Sequence, residues 1–332
     1  MSILVTGGAG YIGSHTVLEL QKAGFQVVVF DNLSKGHAAA LPPAIPVTVG
    51  DIRDQELLSE VLKVHKVSAV VHFAASSLVG ESMRDPSQYY NNNVAGTMAL
   101  LDTLCKYDIK RIVFSSTAAV YGEPDKWPIT EDMATVPTNV YGRTKLMIEA
   151  MLADYAAAYD LSYVSLRYFN AAGASDEGVI GEDHSPETHL IPLVLQTALG
   201  QRSSIDIYGS DYPTPDGTCI RDYIHVLDLA DAHVKAIQHL EGGGGPKIYN
   251  LGSENGYSVR QVIDTARKIT GVNFPVREVT RREGDPAVLV ASSSRIREEL
   301  GWKPSSSDLD TIISSAWLWH KSHPNGYNSP NE

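Results

Sequence analysis

Tyr141 and Lys145 lie four residues apart in the stretch TNVYGRTK, residues 138–145. On a helix that spacing puts a phenol and an ammonium on one face, where the cation can stabilise a phenolate beside it. Lowering a tyrosine pKa from about 10 to about 7 requires roughly 4 kcal/mol of differential stabilisation, which one cation and a cofactor charge can supply together. A weak base would become a useful one. The same two residues could form a solvated pair on an exposed helix, so the decision falls to their surroundings.

A glycine cluster supplies the next chemistry. ILVTGGAGYIG, residues 3–13, holds Gly8, Gly10 and Gly13 in G-x-G-x-x-G spacing and Gly7, Gly10 and Gly13 in G-x-x-G-x-x-G spacing. Either way, glycine allows a tight turn and lets the backbone approach a pyrophosphate, whose charge meets the amides opening a helix at Tyr11. Asp31 stands 18 residues past Gly13, at the end of the next apolar run. A carboxylate there accepts ribose hydroxyls and repels a 2'-phosphate, which favours NAD over NADP.

The elements that position these residues follow a simple rhythm. Val/Ile-rich runs at 3–5, 26–30, 46–50, 69–73, 111–116 and 162–168 predict strands, several apolar almost throughout. Such runs suit a parallel sheet covered on both faces. Helices are predicted over Tyr11 to Lys22, Asp54 to His65, Tyr90 to Lys106 and Val140 to Tyr159. The expected class is α/β, a Rossmann-type doubly wound parallel sheet with a smaller mixed α/β substrate lobe. The rhythm breaks in the loop AAGASDEGVIGEDHSPETH, residues 171–189, which places an NAD-binding domain over 1–170 and a smaller substrate domain over 171–332. That boundary is approximate, and later segments can return to the first domain. The second part includes a helix near Leu190 to Leu199, a strand around Lys247 to Asn250, and a helix opened by Ser258 with capping-box spacing to Gln261 and a stop near Gly271. The tail SHPNGYNSPNE is expected to fray.

Composition narrows the classes of function. The 332 residues are 43% hydrophobic and 20% charged, with a net charge of -12 that argues against a generic nucleic-acid binder. No apolar run approaches bilayer-spanning length, and MSILVTGG lacks a secretory pattern. Cys105 and Cys219 are the two cysteines, too few for a disulfide framework, so a cytoplasmic setting is expected. Eleven histidines invite a metal, with His184 and His189, or His320 and His323, closest together. Neither pair shows accompanying Cys or carboxylates in a recognised ligand array, so no metal is expected.

With TGGAGYIG, FSSTAAVYG and YGRTK in order, the chain resembles the extended short-chain dehydrogenase/reductase family. Further strings, HFAA, GES, YYNNNV, LRYFNAAGA, GEDHSPETHLIP, YPTPDGTCIRDYIHV, NLGS and REGD, make it similar to that family's UDP-hexose 4-epimerases, from Ile3 to about Tyr327. The resemblance implies reversible epimerisation at carbon 4 of UDP-glucose and UDP-galactose through a 4-keto sugar, with NAD as cofactor and a homodimer as assembly. It implies Tyr141 as the proton-transferring base, Lys145 as its partner and holder of the nicotinamide ribose, and Thr117 as the hydroxyl bonded to the reacting oxygen. To the cofactor it assigns Gly7, Gly10, Tyr11, Ile12, Gly13, Asp31, Asn32, Asp51, Ile52, Phe73, Ala74, Ala75, Asn93, Ser115, Tyr141, Lys145 and Tyr168. To the UDP-hexose it assigns Thr117, Tyr141, Asn170, His189, Leu190, Tyr208, Arg221, Tyr223, Arg282 and Asp285. Plainer roles stand beside these: Phe73 and Ile52 as core, Asp51 as a turn former, Thr117 as a strand-end cap, and Arg221 in a surface pair with Asp222.

The chain departs from the family pattern in three places. Ala75, Ser76 and Ser77 stand where many members have Gly-Leu-Lys, which puts one pyrophosphate contact in doubt. Thr188 and His189 replace paired asparagines before Leu190, Ile191 and Pro192. Leu289 occupies a position where side-chain size influences acceptance of N-acetylated sugars. Sugar-nucleotide 4,6-dehydration is disfavoured, because Ala118 and Ala119 stand where an acid and a base are needed. The alternatives kept open are a UDP-N-acetylhexosamine, UDP-uronate or UDP-pentose 4-epimerase and, from another class, a catalytically silent NAD-sensing scaffold.

Overall fold

Apolar runs with no polar face can be satisfied only inside a sheet covered on both sides, and the computed structural model, which describes residues 1–282 and 285–328, places them there. Ile3, Leu4 and Val5 are each fully buried. Seven strands form one parallel sheet in the order Lys247–Leu251, Ser162–Tyr168, Arg111–Thr117, Val67–His72, Ser2–Thr6, Gln26–Asp31, Val47–Val49. Chain order runs outward in both directions from Ser2–Thr6, so loops leaving that strand and Val67–His72 diverge and open a crevice at their carboxyl ends.

Two apolar layers cover the sheet. On one side the Tyr11–Lys22 and Val226–Glu241 helices contribute Val17, Leu20, Leu229 and Ile237. On the other, Leu58, Leu100, Leu104, Ile148 and Leu152 come from the helices Gln55–Val64, Gly96–Lys106 and Val140–Tyr159. Asn139 opens the last of these by accepting the Gly142 amide at 2.8 Å. The single helix expected over Tyr90 to Lys106 is divided, because Tyr90–Ala95 is π-helical and only Gly96–Lys106 is α-helical. The wider turn accompanies the complete burial of Asn93, whose amide makes the contacts described below.

In the second half, Ile220–His225 is flanked by Asn170–Ala172, Val288–Leu289 and Gly256–Ser258, while Ile205–Tyr208 pairs with Val276–Val279. The helix Val259–Thr270 has the expected reciprocal cap, Ser258 accepting the Gln261 amide at 3.1 Å and the Gln261 side chain accepting Ser258 N–H at 2.8 Å. It stops at Gly271, whose φ of +72° suits glycine. Lys247–Leu251, assigned above to the second half, returns to the large sheet beside Ser162–Tyr168. The expected fraying also needs correction over part of the tail. Tyr327 stacks on His37 with ring centroids 4.9 Å apart, and its hydroxyl accepts the Gly181 amide at 3.0 Å. Residues 329–332 lie outside the described residues. Among the described residues no helix is long and apolar enough to cross a membrane.

Candidate active site

The glycine loop lies at the crevice, and sterics require glycine at two of its three positions. Gly7 has φ +72°, and a Cβ there would lie 2.6 Å from the Ala74 nitrogen. A Cβ at Gly13 would run into the Gly7 carbonyl. Gly10 is different: a Cβ there would meet only the Gly7 oxygen, at an ordinary 3.4 Å, so packing does not require glycine at this position. Gly10 also starts the Tyr11–Lys22 helix with no side-chain cap, which leaves the first amides open to an anion. These features fit a dinucleotide diphosphate. Buried Asp31 accepts the Ala9 amide at 2.9 Å and the Leu33 amide at 2.8 Å, so it braces the loop, and burial pushes its pKa up.

The remaining cofactor candidates divide by environment. Ala74 N–H donates to Thr6 at 3.1 Å beside the partly buried Ala75, and the Tyr11 hydroxyl donates to the Gly173 carbonyl at 2.6 Å above partly buried Ile12. Asn32 accepts the Ser34 amide at 3.0 Å, and Arg53 grips Asp51 at 2.6 Å and holds it below the usual carboxylate range. Ile52 and Phe73 both pack on apolar neighbours, the first buried and the second partly so. Ile52 is core, with a Cβ on Gly96 landing 2.8 Å from it, and Phe73 lies 4.7 Å from the His233 ring. Ser115 and Tyr168 bond through their hydroxyls, and burial raises the Tyr168 pKa.

Thr117 ends its strand with two partners. Its hydroxyl accepts the Ala119 amide at 3.2 Å and stands near enough to the Tyr141 phenol to pull its pKa down. Lys145 is buried, its ammonium donating to the Ser115 carbonyl at 2.8 Å and standing 5.9 Å from the Tyr141 ring centroid. The electrostatics differ from the expectation that the ammonium acidifies the phenol. Burial pushes Tyr141 up to about 12, with only the Thr117 hydroxyl opposing it. Burial also lowers Lys145 to about 7 against a weaker pull from Glu149, so near neutral pH this cation is itself partly discharged. An oxidised nicotinamide would bring the missing positive charge.

Ser82 and Glu149, which help to hold this group, were not identified from sequence, and Asn93, assigned above to the cofactor, makes anchoring contacts that were not foreseen. Ser82 accepts the Tyr141 amide at 3.1 Å. Asn93 donates to Thr144 at 3.0 Å and to the Ser76 carbonyl at 3.0 Å, and accepts the Ser76 amide at 2.8 Å. One buried amide thus ties the loop after Val67–His72 to the helix bearing Tyr141. Glu149, on that same helix, accepts from Ser116 at 2.6 Å and from Arg167 at 2.9 and 2.5 Å. No local pattern announces these pairings, which join residues 17 to 59 positions apart.

On the substrate side, Asn170, His189, Leu190 and Tyr223 line one small cavity. Arg221 pairs with Asp285, not with neighbouring Asp222. Buried Asp222 instead accepts the Ser253 amide at 2.8 Å, and burial raises it to about 6. The Arg282 guanidinium lies 3.9 Å from the Tyr208 ring centroid; neither residue lines that cavity. The view that His184 and His189 lack accompanying carboxylates also requires correction, since Glu182 and Glu187 lie against both.

Comparison with known proteins gives the family. Residues 3–252 match the model of the NAD dependent epimerase/dehydratase family. The chain is 56% identical over 332 residues to the UDP-glucose 4-epimerase of Halalkalibacterium halodurans, covering 100% of this chain and 99% of that one. A crystal structure of a UDP-glucose 4-epimerase superposes with TM-score 0.97 at 53% identity, covering 99% of this chain and 100% of that chain. The Bifidobacterium longum UDP-glucose 4-epimerase, solved in complex with NAD+ and UDP, gives TM-score 0.93 at 40% identity over 98% of this chain and 100% of that chain.

Proposed function

This chain belongs to the NAD dependent epimerase/dehydratase family, and on that premise we propose that it interconverts UDP-glucose and UDP-galactose at carbon 4, with Tyr141, Thr117 and Lys145 as its reacting group. The supporting observation is the Tyr141 phenol close to the Thr117 hydroxyl and 5.9 Å, by its ring centroid, from the buried Lys145 ammonium, in a chain whose glycine loop is shaped for a diphosphate.

When bound, NAD supplies a hydride acceptor and a positive charge. The glycine loop amides and Asp31 would hold it, and Lys145 would reach its ribose. Tyr141 takes the proton from the sugar's 4-hydroxyl and later returns it to the ketone oxygen. Thr117 donates to that oxygen and fixes its distance from the phenol. Because the ketone must present both faces, binding energy belongs on the UDP and not on the hexose. Arg221 and Arg282 are the cations for the diphosphate, and Asp285 is the acceptor for ribose hydroxyls. Arg221 already neutralises Asp285, so diphosphate binding must share or rearrange that pair.

The experiment incubates purified protein with UDP-galactose, UDP-N-acetylgalactosamine and UDP-glucuronate without added reductant and identifies the sugars formed. UDP-glucose is the expected product from UDP-galactose. Tyr141→Phe should reduce turnover by about 10²- to 10⁴-fold with UDP binding retained. Unchanged turnover would remove Tyr141 from its role. A homodimer rests on the family resemblance and a cytoplasmic setting on the scarcity of cysteines; sedimentation equilibrium tests the first.

A further inference from the structure

Glu182, His184, Glu187 and His189 each offer one ligating atom, and those atoms all lie within 4.8 Å of one another. Three of the four have no part in the reaction derived above. Glu182 Oε1 lies 2.5 Å from His189 Nδ1 and 3.1 Å from His184 Nδ1. Glu187 oxygens lie 3.7 Å from His184 Nδ1 and 3.5 Å from His189 Nδ1. A tetrahedral ion with bonds of about 2.0–2.2 Å spans ligand–ligand edges of about 3.3–3.6 Å. A tetrahedron has six edges: three of the four His–Glu distances come close to that range, the 2.5 Å contact must open by roughly 0.8 Å as an ion enters, and the Glu–Glu and His–His edges lie within 4.8 Å.

Charge points the same way. The Glu182 and Glu187 side chains are only 4% and 5% exposed. Among the described residues neither carboxylate has an ion pair with lysine or arginine, and the Lys35 ammonium donates to the Ser185 carbonyl instead. Buried carboxylates need positive charge to stay ionised. Two imidazoliums could supply it, at the cost of repulsion between rings whose centroids are 5.5 Å apart. One divalent ion supplies the same charge and uses neutral rings as ligands.

The surroundings also suit a metal. Glu187 accepts the Thr188 amide at 2.6 Å and the His189 amide at 2.8 Å, which orients that carboxylate from outside, and Trp319 donates to the main-chain carbonyl of Glu182 at 3.1 Å, which fixes the backbone there. Glu182, His184 and Glu187 border a polar cavity of about 90 Å³ shared with Gln196 and His320, an entry path for an ion and room for water.

We propose that Glu182, His184, Glu187 and His189 bind one divalent transition-metal ion, with mixed imidazole and carboxylate ligation of the kind that suits Zn²⁺. The ion is structural. It pins the 182–189 loop, whose last residue precedes the Leu190–Ala198 helix and lines the cavity with Asn170 and Tyr223. It also stands behind Tyr11, whose ring centroid is 6.2 Å from that of His184.

The test uses untagged full-length protein grown with zinc and purified without chelator. Mass-spectrometric metal analysis should find about one zinc per chain, and diffraction at the zinc edge should place it among these four side chains. Chelator-treated protein titrated with zinc sulfate alone should bind about one equivalent saturably, with a higher melting temperature. His184→Ala should weaken that binding by at least about 100-fold, whereas His65→Asn, at a histidine outside the cluster, should leave it unchanged. Should His184→Ala fail to fold, the wild-type titration and diffraction still decide. Absence of saturable binding overturns the proposal and leaves two imidazoliums facing two carboxylates. Binding that His184→Ala does not alter, or zinc located elsewhere, overturns it equally.

Discussion

Replacing Lys145 by methionine should abolish most catalysis yet stabilise the cofactor-free protein. Burial lowers the lysine from its ordinary 10.5 to about 7, so keeping it charged in the folded chain costs about 5 kcal/mol relative to the unfolded chain. Methionine has similar length and carries no charge, but it leaves the Ser115 carbonyl without its 2.8 Å partner, a loss of about 1–3 kcal/mol. The net gain near pH 7 is then about 2–4 kcal/mol. At roughly 2.1 cal/mol/K per residue over 332 residues, unfolding entropy is about 0.7 kcal/mol/K, and the melting temperature should rise by about 3–6 °C. The pH dependence has a definite sign. A lysine with a depressed folded pKa binds fewer protons folded than unfolded between about 7 and 10.5, so wild-type stability rises with pH there. Below pH 7 the whole penalty is present, and above 10.5 it is gone. Differential scanning fluorimetry of both proteins from pH 6 to 10 should show the variant's advantage shrinking as pH rises. A variant that melts below wild type at pH 7, or a gap that stays constant with pH, would refute the argument.

The buried ion pair of Glu149 and Arg167, with side chains 4% and 5% exposed, gives a second prediction: Glu149→Gln should cost about 3–5 kcal/mol in denaturant unfolding, and the double change Glu149→Leu/Arg167→Met should recover most of it. Gly10→Ala should leave stability within about 1 kcal/mol but reduce the NAD retained after gel filtration, since a methyl group fits the protein and crowds the diphosphate. Gly13→Ala should instead prevent stable folding, read as loss of a cooperative melting transition, because its Cβ meets backbone. Thr117→Val should lower kcat by about 10-fold or more with little change in UDP affinity, as it removes the hydroxyl that stands beside the reacting phenol.

What could be read from the sequence was local. The Tyr11–Lys22 and Val140–Tyr159 helices have the bounds their periodicity predicts, and the cap at Ser258 follows from a three-residue spacing. A glycine loop between a strand and a helix obeys backbone sterics that any sequence must respect. The Arg221 pairing went unseen, because Asp285 is 64 residues away while Asp222 is adjacent. Glu182 and Glu187 are close in sequence to both histidines, yet they sit in an irregular loop with no fixed period by which to judge that four side chains converge. The effect of burial on Tyr141 and Lys145 was equally hidden, since spacing places two charges on one face but says nothing of the desolvation that reverses their expected influence.

The return of Lys247–Leu251 to the large sheet also bears on how the chain emerges from a ribosome. Ser162–Tyr168 waits through roughly 80 further residues for its neighbour, which at 5–20 residues per second is roughly 4–16 s of translation. Throughout that interval one side of a β-strand carries unmatched peptide groups, a template for association with other nascent chains. Slowing synthesis between codons 170 and 247 should therefore raise the insoluble fraction in cells, while equal slowing after codon 260 should not.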